Sequence, residues 1–186
     1  MLRAHRMAGL GLLTVLVACA GTDLAVAPEQ AALTADAGPL RLTGSGHHSR
    51  TVAGETELTT FSFAAVRNAD GSATGRYQYD FRASGFAVYG TVTCLTTDGS
   101  QAWVGGVVDR VVTDDPDFAA LLLGVDMWWR SKDLGEGSTA AAADSTTGLG
   151  FKFATTTITA ASWCQNQPQS LVMRAVENGN IQLNGD

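Results

Sequence analysis

Charged residues are scarce in this chain of 186 residues. They make up 16% of it, with 12 lysines and arginines against 18 aspartates and glutamates. The net charge of −6 argues against the basic surface that nucleic-acid binding needs. Low charge also disfavours long, salt-bridged helices, whereas 21 glycines suit short strands and tight turns. The composition therefore predicts an all-β protein with no nucleic-acid partner.

Motifs that carry chemistry are also lacking. The chain has three histidines and three cysteines, and it contains no Gly-x-Ser-x-Gly motif and no glycine-rich loop before a helix. No cofactor is therefore predicted. Paired carboxylates, with Asp109, Asp114 and Asp126 as candidates, stay open because the fold sets their separation. An exported hydrolase of that kind is the alternative to a non-catalytic domain.

The first residues have the layout of an export signal. Arg3 and Arg6 precede an apolar run over residues 7–17, which is short for a membrane span, and small residues follow. We interpret residues 1–18 as a signal peptide and residues 19–39, which contain no aromatic residue, as a flexible tether. Residues 40–186 are expected to form a single all-β domain.

The apolar run ends in Leu16-Val17-Ala18-Cys19, which resembles the lipobox of bacterial lipoproteins. The resemblance implies cleavage before Cys19, acylation of this cysteine with palmitate, and a membrane anchor in the bacterial cell envelope, facing the periplasm or the outside. An envelope protein or a glycan is then the expected partner. The alternative is cleavage before Gly21, which would release a soluble secreted protein.

Both processing routes leave Cys19 outside the folded domain, either acylated at the start of the tether or cleaved off with the leader. Cys94 and Cys164 remain, and an even number of cysteines in an oxidising compartment predicts a disulfide bond. Two buried free thiols are the alternative.

Alternation of apolar and polar residues is clearest over residues 75–112. Tyr77, Tyr79 and Phe81 alternate with polar residues, and turns at Ser84-Gly85 and Asp98-Gly99 separate three strands. This pattern predicts an antiparallel meander.

Further strands are expected on both sides of the meander. They are residues 40–43, which end or bulge at the following Gly-Ser-Gly, residues 56–67, 125–130 and 150–158, and a final hairpin of residues 171–176 and 181–183 around Asn178-Gly179. Residues 118–123 fit either a helical turn or a strand, and residues 160–169 are expected to follow a sheet edge.

Eight to ten antiparallel strands predict a small β-barrel, with a β-sandwich as the alternative. The strand that carries Gly-Thr-Val-Thr-Cys up to Cys94, and the later loop Asp-Leu-Gly-Glu-Gly from Asp133, resemble segments of uncharacterised exported bacterial β-proteins. This resemblance implies a scaffold and no activity.

Three clusters are candidate sites. His47 and His48 are adjacent on a predicted strand, so they point to opposite faces and cannot both bind one metal ion. Asp114, Asp115 and Asp117 could supply oxygen ligands to calcium, together with Asp133 and Glu136, but they lack the spacing of a known calcium loop; a solvated acidic loop is the alternative. No metal site is predicted.

The third cluster, Trp128-Trp129, places aromatic rings on both faces of a strand. One exposed ring could be a binding surface for a sugar, a lipid or a partner protein, and the alternative is that both rings are covered. Taken together, the sequence predicts an envelope-anchored, non-catalytic β-domain that binds a ligand or partner or has a structural role.

Overall fold

The computed structural model describes residues 39–52, 54–136 and 142–185. These residues all belong to one compact unit. The predicted signal peptide, Cys19 and all but the last residue of the predicted tether lie outside the described residues.

The described chain is mainly β-structure, with ten strands and two helices of seven residues. In chain order the elements are β1 (Leu40–Val52), β2 (Glu55–Arg67), β3 (Ala73–Phe81), β4 (Phe86–Asp98), β5 (Gln101–Val112), α1 (Pro116–Leu122), β6 (Asp126–Lys132), β7 (Ser145–Thr147), β8 (Gly150–Phe151), α2 (Ala160–Asn166), β9 (Met173–Ala175) and β10 (Asn178–Asn184). Within the described ranges, no helix has both the length and the apolar character needed to cross a membrane.

All ten strands join one antiparallel sheet. Its hydrogen-bonded order is β10-β1-β2-β3-β4-β5-β6-β7-β9, with β8 paired to β6, and the sheet curls into a half-barrel. The predicted all-β class and the meander β3-β4-β5 are confirmed.

Alternating side chains fill the concave side of the sheet with aromatic rings. Phe61 and Phe63 of β2 stack at 5.6 Å between ring centroids, and Trp129 of β6 lies 5.6 Å from Tyr77 and 5.9 Å from Tyr79. These five residues belong to one core of buried side chains. The interior of the curled sheet is therefore occupied by its own side chains.

A second apolar layer lies on the convex side of β4, β5 and β6, where α2 packs. It contains Trp103, Trp128 and Trp163. The predicted disulfide is confirmed, because Cys94 of β4 is bonded to Cys164 of α2 with 6.2 Å between their Cα atoms. The bond therefore fastens α2 to the sheet.

The final hairpin was predicted wrongly. β9 pairs with β7, whereas β10 pairs with β1, so these consecutive strands occupy opposite ends of the hydrogen-bonded order. Asn178 and Gly179 lie within β10, opposite His47 and Gly46. A Cβ atom on Gly179 would lie 2.0 Å from the carbonyl oxygen of Ser45, so this glycine permits close strand contact.

Three other boundaries differ from expectation. The predicted strand over residues 150–158 is reduced to β8, and residues 160–166 form α2 because Thr159 and Ser162 make a capping box at its start. β1 continues through the Gly-Ser-Gly sequence, where a Cβ atom on Gly44 would lie 2.5 Å from the Phe63 ring. Of residues 118–123, which the sequence left open between a helical turn and a strand, all but Leu123 belong to α1, which begins at Pro116.

Carboxylates link the outer edge of β10 to the chain beside β6 and β7. The Ile181 and Leu183 N–H groups donate to Asp144 Oδ2 at 2.7 Å and to Asp133 Oδ2 at 2.8 Å. Asp144 Oδ1 accepts a third bond, from the Leu134 N–H at 2.9 Å. Carboxylate side chains thus accept hydrogen bonds from the N–H groups of β10 that face away from β1 and have no partner strand.

Replacing Asp144 by Asn should destabilise the fold by about 1–3 kcal/mol, because an amide offers one accepting oxygen and leaves one buried N–H unpaired. The free energy of unfolding in urea checks this. The exposed Asp114→Asn is the control and should change it by less than about 0.5 kcal/mol. Equal effects of the two substitutions would contradict the role assigned to Asp144.

Candidate ligand-binding groove

A β-bulge shapes the convex face of the sheet between β4 and β5. Tyr89 is paired with Arg110, but the next residue, Gly90, is paired with Val108, so Asp109 is an extra residue in β5. A bulge of this kind redirects side chains, and both Asp109 and Arg110 are exposed. Two charged side chains are therefore presented side by side.

A groove of about 480 Å³ lies around this bulge. Four strands, β2 to β5, supply its walls, and most of its side chains are polar. Its lining consists of Ser62, Phe63, Ala64, Arg76, Tyr77, Gln78, Tyr89, Gly90, Asp109 and Arg110.

Asp109 ties the groove together. Its Oδ2 atom accepts hydrogen bonds from Arg76 Nη1 at 2.8 Å and from Thr91 Oγ1 at 2.6 Å. The Arg76 side chain is nevertheless 78% exposed. Arg76 is therefore oriented by Asp109 and keeps N–H donors for another molecule.

Arg110 is held differently. Its Cζ atom lies 3.7 Å from the centre of the Tyr89 ring, in a cation–π contact. Within the part of the chain that the structure describes, the ion pairs involve other arginines and His47. Its charge is thus positioned by a neutral ring and is available to an anionic group.

Tyr77 forms part of the groove floor. Its hydroxyl donates to the Val107 carbonyl at 3.1 Å, and a Cβ atom on Gly90 would lie 2.2 Å from this hydroxyl. Burial, and secondarily the charge of Asp109, raise the pKa of Tyr77. Tyr77 therefore stays neutral near pH 7, and Gly90 leaves the space that its ring needs.

Neither tryptophan of the predicted binding surface is exposed. Trp128 is 4% and Trp129 is 0% exposed. Trp128 stacks on Trp163 of α2 at 5.9 Å, and Trp129 lies in the interior. The candidate binding surface at this pair is therefore wrong and the alternative of two covered rings is correct, because α2, a helix that the sequence did not predict, covers the convex side.

Three of the five acidic candidates for calcium have structural roles. Asp115 is the N-cap of α1 and accepts bonds from the Asp117 and Phe118 N–H groups at 3.0 Å. Asp133 Oδ2 accepts a hydrogen bond from the Leu183 N–H of β10, and Glu136 Oε1 accepts hydrogen bonds from the side-chain amides of Asn180 and Gln182. In residues 39–52, 54–136 and 142–185, no group of three or more His, Cys, Asp or Glu is arranged to hold a metal ion.

Two of the three carboxylates considered for catalysis also have partners. Asp109 is bonded to Arg76 and Thr91, and Asp126 Oδ2 accepts the Ala160 N–H at 3.2 Å, at the start of α2. Asp126 therefore helps to place α2.

The two adjacent histidines face opposite sides, as the strand geometry predicts. His47 Nε2 lies 3.7 Å from Glu177 Oε2. His48 is 1% exposed, and neither of its ring nitrogens has a hydrogen-bond partner. Burial, followed by the charge of Arg174, lowers the pKa of His48 to about 4.

Comparisons with protein-family profiles, curated proteins and solved structures find no match to this chain.

Proposed function

We propose that this chain is an envelope-anchored, non-catalytic β-domain that binds its ligand in the groove around Asp109. The observation that carries the proposal is the pair of exposed arginines, Arg76 and Arg110, each held in place by a neighbour that leaves donors available. Fixed donors reduce the entropic cost of binding. The bulge that presents them supports a role beyond scaffold, because bulges recur beside functional sites.

Two features favour binding over catalysis. The concave side of the sheet is filled by aromatic rings, and Asp109 and Asp126 are engaged with Arg76 and the Ala160 N–H. We further propose that the sheet behaves as a closed barrel. The bonds of Asp133 and Asp144 to β10 support this closure.

Anchoring through Cys19 is part of the proposal and rests on the Leu-Val-Ala-Cys sequence. The intact mass of the mature protein from a bacterial membrane fraction should correspond to a chain that begins at diacylated or triacylated Cys19. Two or more acyl chains make such anchoring stable. An unmodified chain that begins at Gly21 and stays in the aqueous phase would contradict the anchor.

Substitution of Arg110 by Gln should weaken binding through the groove by about tenfold or more, since a charge-assisted hydrogen bond contributes about 1.5–3 kcal/mol. The measurement is calorimetric titration of the full chain with a panel of defined acidic and neutral oligosaccharides and acidic peptides. Arg82→Gln is the matched control, because Arg82 is exposed and bonds Thr60 outside the groove. Equal affinities of the two variants for every bound probe would contradict the proposed site.

A further inference from the structure

The strand register aligns a continuous row of outward side chains across six neighbouring strands, from β10 to β5. Each member is paired with the next in the sheet. This six-strand row consists of Asn180, Ser45, Ser62, Gln78, Tyr89 and Arg110.

The row is long enough for an extended ligand. Six strands separated by about 4.8 Å span about 24 Å. The groove around Asp109 covers one part of the row, and a second groove of about 400 Å³ covers the other, between β10 and β2. Both grooves are lined by Phe63 and Ala64, so they adjoin on β2 and form one track.

The chemistry of the row matches a hydroxyl-rich molecule. Hydroxyl and amide side chains both donate and accept hydrogen bonds, as sugar hydroxyls do. Glu136 accepts bonds from the amides of Asn180 and Gln182 and so orients them at the β10 end. Tyr89 adds an aromatic ring beside Arg110.

The backbone argues against a peptide that binds by strand addition. That mode requires an unpaired sheet edge, whereas β1 to β5 are each hydrogen-bonded to two neighbouring strands. A ligand on this face must therefore use side chains and cross the strands.

Charge distinguishes the two ends of the row. At the β5 end, Arg76 and Arg110 outweigh Asp109 by one positive charge, on a chain whose net charge is −6. The β10 end offers amides and hydroxyls. An acidic group on the ligand would therefore be preferred at the arginine end.

We propose that the six-strand row binds one linear glycan strand laid across β10 to β5, with a carboxylate-bearing sugar over Arg76 and Arg110. This inference rests on the proposed function of the groove and specifies its ligand. The glycan hydroxyls bond Ser45, Ser62 and Gln78, and the acidic sugar receives guanidinium donors.

The test is calorimetric titration of the full chain with three six-unit probes: hexagalacturonate, neutral cellohexaose and hexaglutamate. Hexagalacturonate should bind most tightly. Ser62→Trp, which places a bulky ring in the middle of the row without removing a charge, should weaken this binding by about tenfold or more. Thr56→Trp is the control, because Thr56 is exposed on the same strand six residues away.

Other outcomes would overturn the inference in different ways. If hexaglutamate binds as tightly, and Arg110→Gln weakens its binding whereas Ser62→Trp does not, the ligand is not a glycan but the groove still functions as a binding site. If cellohexaose binds as tightly as hexagalacturonate and Arg110→Gln does not change its affinity, the proposed preference for an acidic sugar is wrong. Absence of binding by hexagalacturonate overturns the inference, and loss of all binding in the wider panel overturns the proposed function as well.

Discussion

The Cys94→Ala/Cys164→Ala double variant should lose about 4 kcal/mol of unfolding free energy. The bond joins residues that are 70 positions apart, and in the chain-entropy description a loop of this length restricts the unfolded chain by about that amount. The loss should be visible as a lower midpoint of urea unfolding.

Reduction provides the matched control for this experiment. A reducing agent should lower the stability of the native chain to that of the double variant and leave the double variant unchanged. Local unfolding should appear first at α2, which the bond fastens to the convex face. A loss below about 1 kcal/mol would contradict the importance given to this cross-link.

The second large effect is a loss of stability in mild acid through His48. Because the folded-state pKa is lowered from 6.5 to about 4, the unfolded chain binds the proton more readily between these pH values. Its contribution is therefore fully present above pH 6.5 and is lost as the pH falls towards 4, by at most about 3 kcal/mol. Arg174, Arg50 and His47 oppose protonation, whereas Glu177 favours it.

His48→Leu should remove this acid-dependent loss and keep the fold at pH 7.5, since it also removes two buried nitrogens that lack partners. His47→Gln is the control, because His47 is partly exposed beside Glu177 and has the smallest effect among the charges that act on His48. It should keep most of the acid-dependent loss between pH 6.5 and 4. Unfolding free energies at half-unit pH steps give the comparison. Identical slopes for His48→Leu and the native chain would refute the assignment.

The sequence patterns predicted correctly those strands that pair with strands adjacent in the chain. Tyr77 and Tyr79 alternate with polar residues in β3, and short turns connect β3 to both strands with which it pairs. The alternation, the turn residues and the strand pairing therefore all indicate the same structure. The disulfide was predictable because both predicted processing routes leave only Cys94 and Cys164 in the folded domain.

Pairing between distant segments could not be read in the same way. Asn178-Gly179 is a strong local turn signal, yet pairing with β1 places it inside a strand. The short helix α2 depends on the Thr159 and Ser162 cap and on a disulfide to a distant strand. Seven residues with a tryptophan and a cysteine give too little periodicity to identify such a helix.

The groove was missed because a bulge is defined by the partner strand. In the sequence, Asp109 and Arg110 stand between two pairs of valines. This interruption of strict alternation is the available signal, since two adjacent charged residues in a strand indicate either a bulge or a charged side chain in the core. The structure selects the bulge.

The most direct test of ligand binding in the groove is a map of backbone amide chemical shifts on titration with the tightest-binding probe of the panel. We expect perturbations on the convex face of β3, β4 and β5, centred on Gln78, Tyr89 and Arg110, and their loss in Arg110→Gln. Perturbations centred instead on α2 and Trp163, with the groove unchanged, would contradict it.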